Sequence, residues 1–220
     1  MSEQNFDLYR DIAKRTDGDV YIGVVGPVRT GKSTLISRMM EELVLSRMAA
    51  GPRRERLTDE LPQSGSGKTI MTTQPKFVPS EAVSVTLDDQ SSVRVRMVDS
   101  VGYLVEGALG TEEDGASRMV HTPWFDYDVP FEQAAELGTR KVITDHATIG
   151  LVVTTDGSIA DLSREAYQPP EERVVRELKE IGKPFILILN SRHPEAEETL
   201  ALRQRLSERY GVPALSLNVK

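Results

Sequence analysis

The hydrophobic and polar positions of this chain follow two periods, one typical of buried strands and one typical of amphipathic helices. Residues 20–25 form a nearly continuous apolar run, which predicts a strand that is buried on both faces. From Ser33 onward the apolar positions recur every three to four residues, which predicts a helix. The apolar positions of that helix are Ile36, Met39, Met40 and Leu43.

The same periods predict the other elements of the fold. Further strands are expected at 81–87, 93–98, 149–155, 184–190 and 213–217, with a hairpin turn at 88–92. Helices are expected at 5–16, 131–146, 169–181 and 194–210. Because strands and helices alternate after the hairpin, the pattern predicts an α/β domain spanning 1–220. Its sheet is mainly parallel with one antiparallel strand, and helices cover both faces.

Two long polar segments, 49–79 and 103–130, interrupt this alternation, and both are predicted to be loops. The arginines at 53, 54 and 56 in the first segment indicate a solvated face, with an arginine that acts in trans on a neighbouring copy as the alternative. The second segment ends in an aromatic group at 121–127. That group covers a site, meets a partner or forms a small core beneath the loop, and the sequence alone leaves these alternatives open.

Composition and charge narrow the possible functions. The chain has 220 residues, of which 39% are hydrophobic and 28% charged, enough for one domain with a real core. Its net charge of −7 argues against a nucleic-acid partner. There is no cysteine, and the three histidines are scattered, so a metal site built on these residues is not expected. No apolar run reaches the roughly 20 residues of a membrane span, so a cytoplasmic protein without a transmembrane segment is expected.

The stretch between the first strand and the first helix matches the pattern GxxxxGK followed by Ser or Thr. It consists of Gly26, Pro27, Val28, Arg29, Thr30, Gly31, Lys32 and Ser33, with Thr34 next in the helix. In such a loop the backbone N–H groups and the positive end of the helix surround phosphate. Lys32 is expected to contact the β- and γ-phosphates of a nucleotide, and the Ser33 hydroxyl to hold Mg²⁺.

A second phosphate-side motif follows the strand at 93–98. It reads Asp99-Ser100-Val101-Gly102, an aspartate at the end of an apolar strand followed three residues later by glycine. We expect Asp99 to order Mg²⁺ and the Gly102 N–H to bond the γ-phosphate. The next residue is Tyr103, where many switch proteins carry a water-orienting glutamine, so slow hydrolysis is expected.

The strand at 184–190 ends in Asn190-Ser191-Arg192-His193, at the place where GTP-selective proteins carry Asn-Lys-x-Asp. Asn190 is retained as a nucleotide-binding candidate. His193 replaces the aspartate that accepts hydrogen bonds from guanine. Because adenine offers no such donors, loss of the carboxylate removes discrimination against ATP. The sequence therefore predicts an ATP site.

Several strings together resemble the family of stage IV sporulation protein A. The most specific are Leu61-Pro62-Gln63-Ser64 and Ile70-Met71-Thr72-Thr73. Others lie at 20–34, 75–79, 99–103, 122–124, 138–142 and 154–157, so the resemblance covers nearly the whole chain.

The resemblance implies a P-loop NTPase of the GTPase (TRAFAC) type that hydrolyses ATP with Mg²⁺. It implies catalytic roles for Lys32 and Asp99, γ-phosphate sensing by Thr72 and Thr73, and Mg²⁺ binding by Ser33, Asp99 and Thr73. It also implies self-association into a polymer at the base of the spore coat, on the forespore surface in the mother cell, with coat and membrane-surface proteins as partners. Members of the family carry middle and C-terminal regions beyond this domain, so the chain is expected to represent the ATPase domain alone.

Two other functions remain open at this stage. One is a GTPase switch acting in ribosome or tRNA biology, which would share residues 26–33 and 99–102. The other is a nucleotide-binding scaffold with negligible turnover, which Tyr103 favours.

Overall fold

The computed structural model describes residues 19–62, 74–86, 92–113, 115–160 and 162–220. The predicted helix at 5–16 and nearly all of the predicted turn at 88–92 lie outside the described residues. So do Thr72 and Thr73.

Six strands form one sheet. They are β1 (Asp19–Val25), β2 (Lys76–Thr86), β3 (Ser92–Asp99), β4 (Ile149–Thr155), β5 (Phe185–Asn190) and β6 (Ala214–Leu217). Across the sheet the order is β6-β5-β4-β1-β3-β2. All neighbours are parallel except the antiparallel edge pair β2 and β3. The predicted sheet is therefore confirmed, and its carboxyl edge brings together the ends of β1, β3, β4 and β5.

Helices cover both faces of this sheet. They are α1 (Lys32–Leu43), α2 (Pro52–Glu60), α3 (Phe131–Lys141), α4 (Arg164–Glu180) and α5 (Glu197–Tyr210). Successive strand residues point to opposite faces, and the core divides accordingly: Val24 packs with α1 and α2, whereas Val25 packs with α4 and α5. The α/β architecture predicted from the alternation is thus confirmed.

The prediction of a loop over the whole of 49–79 is wrong, because α2 occupies Pro52–Glu60 and β2 already begins at Lys76. Leu57 is the buried residue of α2, and one apolar position in nine gives no visible helical period. The arginines at 53, 54 and 56 are exposed, as expected for a solvated face.

The second predicted loop, 103–130, also contains regular structure. Glu112–Glu113 pairs with Ala116–Ser117, and Met119–Val120 pairs with Val129–Pro130. Beneath these short hairpins lies a third apolar cluster that joins the segment to α3 and α4. Phe125 packs against this cluster, whereas Tyr127 is 63% exposed. The aromatic group thus contributes to a small core beneath the segment.

Two helix boundaries differ from the prediction. The helix predicted at 131–146 is an α-helix only to Lys141 and continues as a π-helix over Val142–His146. The helix predicted to open at Pro169 begins at Arg164, so Pro169 lies within it. Its first turn is held by a hydrogen bond of 3.1 Å from Arg164 to Thr154 of β4 and by the burial of Tyr167, and the positions of the prolines do not indicate these contacts.

A buried polar network joins β4, α4 and α5. The Glu171 side chain on α4 is fully buried and accepts hydrogen bonds from Arg164 (2.8 Å), Thr154 (2.5 Å) and Tyr210 (2.6 Å). Bonding to Glu171 and burial both raise the pKa of the Tyr210 phenol, with burial the larger cause. One carboxylate thus connects a central strand to two helices.

Replacing Glu171 by alanine is expected to lower the free energy of unfolding by about 3–5 kcal/mol, because Arg164 would remain buried without its partner. The adjacent Glu172 pairs with Arg209 at 2.7 Å on the surface, so Glu172→Ala is the matched control and should cost about 1 kcal/mol or less. Urea unfolding of both variants measures the difference. Equal losses would contradict the assignment of the network as a structural centre.

Candidate functional site

The loop between β1 and α1, residues 26–31, turns sharply at the carboxyl edge of the sheet. We call it the phosphate loop after its predicted role. Gly26 and Gly31 have φ values of 139° and 91°, and Arg29 also has a positive φ of 63°. A Cβ atom at Gly26 would collide with the Val153 carbonyl of the neighbouring strand β4. Glycine at this position therefore lets the loop lie directly against the sheet.

Lys32 is the first residue of α1, and its side chain folds back over the loop. It is only 5% exposed, and its Nζ donates to the Pro27 carbonyl at 2.7 Å. A weaker bond of 3.4 Å reaches the Gly26 carbonyl. Burial lowers the pKa of Lys32 to about 8, against the opposing effect of the nearby Asp99 carboxylate. The Lys32 ammonium group is thus held against the first two residues of the loop.

Asp99 ends β3 beside the start of α1. It is 3% exposed, and its Oδ2 accepts a hydrogen bond of 2.6 Å from the Ser33 hydroxyl. Its Oδ1 is buried and has no hydrogen-bond partner. Burial raises the pKa of the Asp99 carboxyl, against the effects of the Ser33 bond and Lys32. An orphaned carboxylate oxygen beside a hydroxyl is a set of hard oxygen donors, and these residues fit Mg²⁺.

Gly102, three residues after Asp99, lies against the loop between β1 and α1. Its φ is 99°, and a Cβ atom here would come within 2.5 Å of both the Gly26 carbonyl and Lys32 Nζ. The expectation placed its N–H on a γ-phosphate. In the structure that N–H donates to the hydroxyl of Thr139 on α3, at 2.9 Å.

Tyr103 connects to the phosphate loop through its backbone alone. Its carbonyl accepts a bond of 2.9 Å from the Val28 N–H. Its ring packs among core residues on the α4 side of the sheet, where the hydroxyl donates to Glu177 at 2.5 Å. Burial and the bond to Glu177 raise the pKa of Tyr103. The phenol hydroxyl of Tyr103 therefore bonds α4 and does not orient water at the phosphate loop.

Asn190, at the end of β5, binds two neighbouring loops. Its Nδ2 donates to the Thr30 carbonyl at 2.9 Å, and its Oδ1 accepts from the Val219 N–H at 3.3 Å. A Cβ atom at Gly31 would come within 2.5 Å of the same Nδ2. Asn190 thus fastens the phosphate loop to the segment after β6.

Ser191 is fully buried, and its hydroxyl donates to Asp156 at 2.5 Å. Asp156 also accepts from the Ser158 N–H and hydroxyl, at 2.9 and 2.6 Å. Burial is the largest single effect on the pKa of Asp156, and by itself it would raise that pKa. The hydrogen bonds together outweigh it, so the pKa of Asp156 is lowered. Both oxygens of this carboxylate are engaged within the protein.

The other predicted site residues fall into two groups. Val28 and Thr30 are buried within the phosphate loop, and the Thr30 hydroxyl donates to the Pro27 carbonyl at 3.0 Å. Arg29 is half-buried, and Thr34 follows Ser33 in α1. Thr72 and Thr73 lie outside the described residues, and their roles remain predictions.

Sequence reasoning missed two polar residues at this edge, Thr139 and Asp156. Each lies in a string that was noticed only for its resemblance, at 138–142 and 154–157. Neither position belongs to a phosphate-binding pattern, so only the three-dimensional contacts identify them. Within the described part of the chain there is no cluster of metal-ligating His, Asp or Glu side chains, and no helix there is long and apolar enough to cross a membrane.

Among solved structures, this chain is similar to two crystal structures of SsGBP mutation variants. The TM-scores are 0.49 and 0.48, both with 13% sequence identity. The matches cover 98% and 100% of this chain, and 54% and 58% of the solved chains.

The sequence relatives are much closer. This chain is 57% identical over 215 residues to stage IV sporulation protein A of Clostridioides difficile and 54% identical over 217 residues to that of Bacillus subtilis. The matches cover 98% and 99% of this chain but 44% of each relative, so the chain spans less than half of their length. Residues 3–220 match the family described as stage IV sporulation protein A, ATPase domain. With a phosphate loop, a Ser33–Asp99 pair and these relatives, the chain belongs to the stage IV sporulation protein A family.

Proposed function

We propose that this chain binds Mg-ATP at the carboxyl edge of its sheet, hydrolyses it slowly, and uses the nucleotide state to drive self-assembly during sporulation. The observation that carries the proposal is the convergence of Lys32, Ser33 and Asp99 behind a glycine loop. The Lys32 ammonium and the orphaned Asp99 oxygen both lie at this loop. Family membership supports the sporulation role.

Each residue has a separable task in this proposal. The backbone N–H groups of the phosphate loop bind the phosphates, and Lys32 exchanges its two carbonyl partners for phosphate oxygens. Ser33 and Asp99, together with Thr73, would hold Mg²⁺, which would supply positive charge beside the phosphates. Asn190 holds the phosphate loop in place through its hydrogen bond to the Thr30 carbonyl.

The residues predicted to face the nucleoside, at 190–193, favour ATP over GTP. Position 193 carries no carboxylate to accept the donors of guanine, and the Ser191 hydroxyl is already bonded to Asp156. The nearby Asp156 carboxylate is oriented within the protein by hydrogen bonds from Ser158 and Ser191.

Slow turnover is proposed because no side chain at position 103 orients the attacking water. The Tyr103 hydroxyl bonds Glu177 in the core. The same observation favours a second candidate function, a nucleotide-binding scaffold with negligible turnover. Burst and steady-state release of phosphate from Mg-ATP separate the two, since a scaffold would show neither phase.

The setting of this activity is proposed from the family. We place the protein in the mother-cell cytoplasm, at the forespore surface, where it would polymerise as the base layer of the spore coat. Its partners would be other copies of itself, coat proteins and proteins at the forespore membrane surface. Sedimentation with Mg-ATP and with Mg-ADP tests whether assembly depends on the nucleotide.

The first prediction concerns nucleotide choice. ATP should bind at least as tightly as GTP, because position 193 carries histidine in place of the aspartate that accepts hydrogen bonds from guanine. A competition titration with both nucleotides measures this. A preference for GTP of tenfold or more, about 1.4 kcal/mol, would end the ATPase assignment.

The second prediction concerns the phosphate contacts. Lys32→Ala should weaken Mg-ATP binding by at least about tenfold, since it removes a buried charge at the loop. Asp99→Ala should retain part of the binding but abolish Mg²⁺-dependent turnover. Lys141→Ala is the matched control, because Lys141 pairs with Asp145 away from the loop. Wild-type affinity for Mg-ATP in the Lys32 variant would refute the phosphate-loop assignment.

The third prediction concerns Thr72 and Thr73 as sensors of the γ-phosphate. Replacing both by alanine should leave ADP affinity nearly unchanged and slow hydrolysis, because only ATP offers the γ-oxygen. Hydrogen exchange across 50–79 should show more protection with a non-hydrolysable ATP analogue than with ADP. Equal protection with the two nucleotides, or normal turnover in a destabilised variant, would mean that these threonines have only a structural role.

A further inference from the structure

The Gly102 amide already has a specific partner inside the protein. Its N–H donates to Thr139 Oγ1 at 2.9 Å, and the Thr139 side chain is fully buried on α3. Gly102 also lies against the phosphate loop, since a Cβ atom there would meet Lys32 Nζ at 2.5 Å and the Val28 nitrogen at 3.0 Å. A buried threonine of α3 is therefore linked, through one amide, to the place where phosphate is bound.

The last turn of α3 touches two other segments beside this amide. A Cβ atom at Gly138 would come within 3.0 Å of Pro75, the residue just before β2, and within 3.2 Å of the Trp124 ring. Pro75 follows the segment that carries Thr72 and Thr73. Trp124 belongs to the segment between β3 and α3 and is the only tryptophan of the chain. Gly138 and Thr139 thus lie where three segments meet: the loop at 99–102, the start of β2, and the segment that carries Trp124.

An amide has one proton, and a phosphate oxygen is a stronger acceptor than a hydroxyl because it is charged. We propose that Thr139 is a positioning residue that sets the discrimination between ATP and ADP at this site. Its hydroxyl competes with the γ-phosphate for the Gly102 N–H. Loss of that bond in the ATP complex releases the last turn of α3 and alters its contact with Trp124. This inference rests on the proposed nucleotide function.

The competition has a consequence that a purely structural hydroxyl would not have. In Thr139→Val the Gly102 N–H is buried without an acceptor, which destabilises the nucleotide-free protein. A γ-phosphate restores an acceptor, whereas ADP offers none at that position. The variant should therefore bind a non-hydrolysable β,γ-imido ATP analogue about tenfold more tightly than wild type, while its affinity for ADP stays unchanged.

Calorimetric titration of the full chain with Mg²⁺ and each nucleotide measures these affinities. Thr139→Ser keeps the hydroxyl and should keep the wild-type ratio of the two affinities. Thr144→Val is the matched control, since the exposed Thr144 hydroxyl donates to the Arg140 carbonyl, at 3.0 Å. The inference is overturned if Thr139→Val weakens both nucleotides equally or changes neither affinity.

Two measurements on the wild-type chain remain decisive if Thr139→Val does not fold. The amide resonance of Gly102 should differ between the complexes with ADP and with the imido analogue, because its acceptor changes. Trp124 fluorescence should differ between the same two complexes. If both nucleotides bind and neither signal changes, the role of Thr139 is refuted while the site stands. If wild type binds neither nucleotide, the proposed function itself fails.

Discussion

Three stretches of backbone approach one another more closely at the carboxyl edge than side chains would allow, and the candidate site depends on this approach. Gly26 lies against β4, and Gly102 lies against both Gly26 and Lys32. The Val28 amide then bonds the Tyr103 carbonyl across the gap. A Cβ atom at Gly26 would push the phosphate loop away from β4, and a Cβ atom at Gly102 would push the loop and Lys32 away from the segment that follows β3.

The parts of this arrangement that follow from local chemistry could be predicted from the sequence. Strand β1 and helix α1 each have a clear hydrophobic period, and the motif between them predicts the roles of Lys32 and Ser33. Asp99 was predictable for the same reason, since it closes an apolar strand. The mainly parallel sheet with one antiparallel strand followed from the alternation of strands and helices after the hairpin.

The parts that depend on tertiary contact could not be predicted in this way. Helix α2 buries only Leu57, so its sequence has the pattern of a polar loop. Helix α4 begins before two prolines because Arg164 bonds Thr154 of β4 and Tyr167 is buried in the core. Thr139 lies 37 residues from Gly102, and nothing in the local sequence of either residue indicates that they meet. Such contacts depend on the way in which α3 returns to the sheet after the segment at 103–130.

The buried network around Glu171 also limits how the chain can fold incorrectly. A carboxylate in an apolar interface is tolerated only where its partners converge, and here Arg164 of α4 itself is joined by Thr154 of β4 and Tyr210 of α5. If α4 docked one turn too high or too low, Glu171 would lose its partners on β4 and α5. The network therefore selects a single register for α4 on the sheet. Because Thr154 lies two residues before Asp156, that register also fixes the height of the loop beside Ser191.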